Sequence, residues 1–287
     1  MSAPTQIQSD LDVKGCRAQL YLNDIPVMLL DPRGMGGQRV ASEQLIVPGK
    51  NRLELLVEPG LTPSTARTGA RHLEKPTEGD NPFASAKTVR FTIDMLPGEK
   101  DSLPSIEAPA VVAEAKWEWP PRVPDESGKA VIRFPQSVIT EIDLGPGRGR
   151  WRWQDAPPLV LDDALREEVN RFLDEFDAAF RTSRVDVLWE LSRQQGEDMQ
   201  RCYSGLTEDF LRADLARVVA FYGRSAEPAF PRVPDRADFH LAAGDRLLNV
   251  VDTDWVPSYR LRDPDDGSEV GVPMFLARVD GNLRIVR

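Results

Sequence analysis

Histidine and cysteine are scarce in this chain: 287 residues contain two of each. His72 and His240 are far apart, as are Cys16 and Cys202, so neither type offers the close spacing of a zinc site. Two cysteines are too few for a secreted disulfide scaffold, and a reduced, cytoplasmic setting is expected. The first 14 residues show no basic segment followed by an apolar one, so no secretory leader is read there. No stretch approaches the roughly 20 apolar residues that span a bilayer, so no membrane partner is expected.

Chemical motifs are missing as well. Gly34-Met35-Gly36-Gly37 and the Gly-Pro-Gly-Arg-Gly-Arg run of residues 145–150 are the glycine-rich candidates for phosphate. Neither continues into Lys-Ser/Thr or stands between a strand and a helix as a P-loop does. No Gly-x-Ser-x-Gly elbow is present for a serine hydrolase. The acidic stretch at residues 263–269 has its glycine one place early for an EF-hand, and Met274 occupies the twelfth position. A β-turn accounts for its Pro, Asp and Gly. The expectation is no cofactor, no metal and no catalytic residue.

Lysine disappears beyond Lys129. Residues 1–150 hold 18 Lys+Arg against 20 Asp+Glu, a net of −2, and residues 151–287 hold 18 against 26, a net of −8. That balance repels a phosphate backbone, which speaks against nucleic acid. It suits a basic protein partner, since complementary charge speeds encounter, although net charge also serves solubility alone.

What is present reads as two domains: residues 1–144 as an antiparallel β-sandwich, 145–158 as a connector, and 159–287 as an α+β domain. In the first, residues 16–22 alternate apolar and polar like a half-buried strand. Asn23-Asp24 turns the chain into residues 25–30, and residues 31–37 read as a loop. Residues 40–47 and 51–57 flank Pro48-Gly49 as a hairpin. Residues 59–82, rich in Pro, Gly, Ser and Thr, form a long loop. Further strands are expected at 88–95, 110–119, 129–134 and 137–144.

In the second domain, Asp162 or Asp163 caps a helix carrying Leu165, Val169, Phe172, Leu173, Phe176 and Phe180 on one face. A second helix follows through Val185, Leu188 and Leu191, weakened at Gly196. Thr207 caps a third, with Phe210, Leu211, Leu215, Val218, Val219 and Tyr222 as its apolar face. Pro228, Pro231 and Pro234 end helical structure. Strands at 238–241, 246–251, 272–279 and 283–286 complete the domain, the last pair turning at Asp280-Gly281.

Three helices and then strands closing in Phe-Leu-Ala-Arg-Val-Asp-Gly-Asn-Leu-Arg-Ile-Val (residues 275–286) resemble the NTF2-like (cystatin-like α+β) superfamily. Residues 184–191, Arg-Val-Asp-Val-Leu-Trp-Glu-Leu, are similar to its second helix. The resemblance spans residues 161–287 and implies a long helix packed on a curved sheet. It also implies a pocket within residues 203–259, lined by Tyr222, His240, Asp252 and Trp255. As a base there, His240 needs an acid such as Asp252 or Asp254 within hydrogen-bond reach. Family membership leaves function open, since the superfamily holds enzymes and binding proteins alike.

Two Trp-x-Trp pairs, Trp117/Trp119 and Trp151/Trp153, each place both rings on one face of an extended strand. They read either as a stacking platform for a sugar or a partner's hot spot, or as core and interface packing. Three functions follow as expectations. The first is a non-catalytic interaction module, such as an immunity or accessory factor that masks a basic protein. The others are a small-molecule or enzymatic pocket in the second domain and sugar binding by the first.

Overall fold

The computed structural model describes residues 5–31, 35–68, 81–94, 105–106, 110–119, 133–146, 149–203, 205–223 and 237–287. The chain is α+β with a β-rich front. It divides into two units, Met1–Leu61 with Thr65–Gly149, and Thr62–Ser64 with Arg150–Arg287.

The first unit contains β1 (Thr5–Lys14), β2 (Ala18–Leu22), β3 (Ile25–Leu30), β4 (Met35–Ala41), β5 (Lys50–Val57), β6 (Phe83–Asp94), β7 (Ser105–Ile106), β8 (Ala110–Glu118) and β9 (Gln136–Asp143). One antiparallel sheet runs β4-β1-β6-β7, with β8 also on β6, and the other runs β3-β2-β5-β9. Alternation decides what each strand buries. Leu11 and Val13 of β1, Ala84 and Ala86 of β6, and Ala115 of β8 are buried on one side. The cross-strand pairs Leu20–Leu55 and Leu22–Leu53 are the buried apolar rows of the second sheet. Each fully buried leucine contributes about 1.5–3 kcal/mol by leaving water. Thr140 Oγ1 of β9 donates to the Glu114 carbonyl of β8, 2.8 Å away, linking the flanks of the two sheets.

Several expectations change. β2 is buried on both faces, because Arg67 lies over the Tyr21 ring at 4.5 Å and also pairs with Asp24 and Glu54. The stretch expected as a loop at 31–37 enters β4 at Met35, and the strand expected at 40–47 ends at Ala41, before a 3-10 turn over Glu43–Leu45. β4 and β5 belong to different sheets, so Pro48-Gly49 closes no hairpin. Asn51 fixes that corner instead: its Oδ1 accepts from Val47 N–H and its Nδ2 donates to the Val47 and Gly49 carbonyls. Asn23 and Asp24, both at positive φ, do turn β2 into β3, as the I′ geometry of a two-residue hairpin requires. The strand expected at 129–134 lies outside the described residues up to 132, and Arg133 and Phe134 are not extended into a strand.

The second unit opens with α1 (Asp163–Arg181), α2 (Val185–Cys202) and α3 (Glu208–Tyr222). Asp162 caps α1 by accepting from Leu165 N–H at 2.8 Å, and Thr207 caps α3 by accepting from Phe210 N–H. Gly196 does not break α2. A Cβ there would come within 2.6 Å of Trp189, so the glycine makes room for the indole about two helical turns back. Pro228, Pro231 and Pro234 lie outside the described residues.

β10 (Ala237–Ala242), β11 (Leu247–Asp252), β14 (Phe275–Val279) and β15 (Asn282–Ile285) form one antiparallel sheet. β12 (Tyr259–Arg262) and β13 (Glu269–Val272) form a separate hairpin, so the strand expected at 272–279 is split at Pro273-Met274. The turn of β14 into β15 uses Asp280 and Gly281, both at positive φ. The buried face of α1 packs with Leu248, Val250, Leu276 and Ile285 of the sheet. Arg278 clamps Glu168 of α1 through two hydrogen bonds of 3.0 and 2.6 Å.

Candidate functional site

Of the residues expected to line a pocket in the second unit, His240 and Trp255 come near each other, while Asp252 and Tyr222 are engaged by the surrounding structure. Phe239 faces the helix–sheet core, so His240 takes the opposite face of β10 by alternation. The Asp252 carboxylate accepts from the backbone N–H groups of Asp254 and Val256 and pairs with Arg260. Trp255 sits at φ 66 with its ring 6.3 Å from His240, and Tyr222 at the end of α3 packs half-buried on the core. Beneath α1, Tyr259 fills the interior. Its ring meets Phe176 edge-on at 4.9 Å, and its hydroxyl donates to Asp177.

Trp151 and Trp153 are both buried in the second unit. The guanidinium groups of Arg201 and Arg287 lie over the Trp151 ring at 4.4 and 5.0 Å, so its π-surface is used internally. The same arginines hold the buried Asp198, Arg287 at 3.2 Å and Arg201 at 3.4 Å. Burial pushes the Asp198 carboxyl up and the Arg287 guanidinium down to about 10, each against the pull of its partner. This is a structural charge cluster.

Trp117 and Trp119 do meet, edge to face at 6.3 Å. Trp117 is buried, flanked by Phe134 and donating through Nε1 to Gln136. Two carboxylates of the acidic turn at 263–269 accept from its own backbone, Asp263 from Asp265 N–H and Asp266 from Ser268 N–H, while Glu269 pairs with Arg260 and Arg262. His72 lies outside the described residues.

Next to Trp117 the first unit has a cleft of about 540 Å³. Cross-strand register builds it. Gly37, Asp12, Ser85 and Lys116 form one row across β4, β1, β6 and β8, while Phe83 and Glu118 belong to the next row on that face. Gly36, Ala84 and Trp117 also line the space, with Lys87 at one side. The glycines matter here. A Cβ at Gly37 would come within 2.5 Å of Asp12 Oδ1, so a side chain at that position would displace the carboxylate.

Its polar groups are unequally matched. Lys116 and Lys87 both approach Glu114, at 3.0 and 3.6 Å, and Lys116 holds that carboxyl below its ordinary range. Asp12 and Glu118 form no ion pair among the described residues. Ser85 is buried, and its Oγ, like that of Thr88 further along β6, has no hydrogen-bond partner among the described residues. An unsatisfied buried hydroxyl costs about 1–3 kcal/mol, so its persistence in a cleft needs an explanation.

None of the cleft's polar residues was singled out from the sequence. Gly36-Gly37 was the one available signal, and a strand glycine marks close approach of other groups. Comparison of the chain with protein-family models, with curated proteins and with solved structures gives no match.

Proposed function

We propose that this protein is a non-catalytic binding protein that takes a small polar ligand in the cleft of its first unit. The observation that carries this reading is the buried Ser85 hydroxyl, without a partner among the described residues, at the edge of a cleft of about 540 Å³. That volume suits a small-molecule site, in which a few polar groups fix orientation against apolar walls. Among the described residues the cleft pairs no nucleophile with a base, since Ser85 has no hydrogen-bonded partner there to activate it.

The test is saturation-transfer NMR with a mixture of a hexose, an amino acid and inorganic phosphate. At least one component should respond with the wild type and fall silent with Gly37→Val, which fills the space beside Asp12. A blank mixture, or a signal that survives Gly37→Val, would remove the reading.

A second reading, capture of a basic protein by the acidic second unit, is favoured by how its charges pair. Many arginines there are already matched, as in Arg181–Asp177, Arg212–Glu208 and Arg278–Glu168. Exposed Asp163, Glu167, Glu175 and Asp186 form no ion pair among the described residues. Such a complex should weaken steeply as salt rises. Retention on the protein of a defined basic partner, such as a lysine-rich peptide, with no salt dependence would contradict it. We also propose NTF2-like kinship for the second unit, on the order of its helices and the closing hairpin.

A further inference from the structure

We infer that the ligand of the first-unit cleft is a neutral, hydroxyl-rich ring, a sugar of the monosaccharide or disaccharide class. This rests on the cleft being a binding site and adds the chemistry of what fills it.

The cleft mixes groups of opposite hydrogen-bonding character. Asp12 and Glu118 only accept, Lys116 only donates, and the Ser85 hydroxyl does both. An anion such as phosphate would meet two carboxylates, Asp12 and Glu118, that form no ion pair among the described residues. A cationic amine would meet Lys87 and Lys116 at the wall. A hydroxyl gives a proton to a carboxylate and accepts one from an ammonium, so a polyhydroxylated ring satisfies both without burying a net charge.

Shape adds a second argument. The donors and acceptors lie on neighbouring strands, which are spaced about 4.8 Å apart. That interval is comparable to the distance between alternate hydroxyls of a pyranose ring. Gly37, in the same row as Asp12 and Ser85, has no side chain to rise from the floor. The half-exposed Phe83 supplies an apolar face for the C–H side of a ring.

The experiment is a titration of the full-length protein, followed by NMR line-broadening and calorimetry. The probes are glucose, galactose, mannose and their β-linked disaccharides, with alanine, putrescine and inorganic phosphate as the other arms. At least one sugar should bind, with an affinity unchanged between low and high salt because no net charge is neutralised. Ser85→Ala should weaken it by about tenfold, as loss of one buried hydrogen bond does. Glu118→Gln, a change at an exposed carboxylate, should weaken it without altering the melting temperature.

Binding of only alanine, putrescine or phosphate, lost in Gly37→Val, would overturn the sugar assignment while leaving the cleft as a site. A sugar that binds Gly37→Val as tightly as wild type would overturn the assignment to this cleft. No binding by any arm would remove both readings.

Discussion

The two units set their buried polar groups in different surroundings. In the second, Asp198 is enclosed with Arg287, Arg201 and Gln194 around it, and Trp151 is covered on its ring by both guanidinium groups. In the first, Ser85 is nearly as enclosed, yet its hydroxyl has no partner among the described residues where the sheet forms a cleft. Neither unit is fully satisfied: Arg287 Nε and Nη2 in the second and Thr88 Oγ1 in the first also lack a partner among the described residues. Ser85 differs in standing at a cleft, where a ligand can reach the polar groups beside it.

The largest effect should come from breaking the second unit's cluster. Asp198→Ala strands the Arg287 guanidinium in the interior and should cost about 3–5 kcal/mol, measured by urea unfolding. The pair can be weakly favourable overall and still show this loss, since removing one partner leaves the other buried and charged. Next is Gly196→Ala, where the new Cβ at 2.6 Å from Trp189 overpacks α2. A loss of about 1–3 kcal/mol is expected, and Trp189 fluorescence should shift. Asp162→Ala removes the α1 cap and should cost about 1 kcal/mol.

Acidity sharpens the same comparison. Burial raises the Asp198 carboxyl above its ordinary 3.8, so the folded protein holds that proton more firmly than the unfolded chain. The associated stability is complete below 3.8 and is lost as pH rises through the folded value. The stability of the wild type relative to Asp198→Asn should therefore fall as pH rises across that window. A difference that grows with pH would contradict the direction of the shift. The smallest effect belongs to the first unit: Ser85→Ala should leave the melting temperature unchanged or slightly raised, because it deletes an unpaired group.

Much of the fold was legible in the sequence, and the failures have specific causes. The helical faces of α1 and the caps at Asp162 and Thr207 were readable because helix spacing and capping are local. The Asn23-Asp24 and Asp280-Gly281 hairpins were readable for the same reason. β4 was missed because its two glycines look like a loop, and only the facing Asp12 explains them. Residues 16–22 read as half-buried because the cover on their polar face comes from Arg67, far along the chain. The cleft was invisible for the deepest reason. Its row joins Asp12, Gly37, Ser85 and Lys116 from four strands, and register across strands leaves no trace in spacing along the chain.

The most direct test sets binding against stability for one hydroxyl. Sugar titration and thermal melting are measured side by side on wild type and Ser85→Ala. The account predicts that the variant binds about tenfold more weakly while melting no lower than the wild type. A variant that melts lower and binds equally well would make Ser85 a structural residue and the cleft an incidental groove.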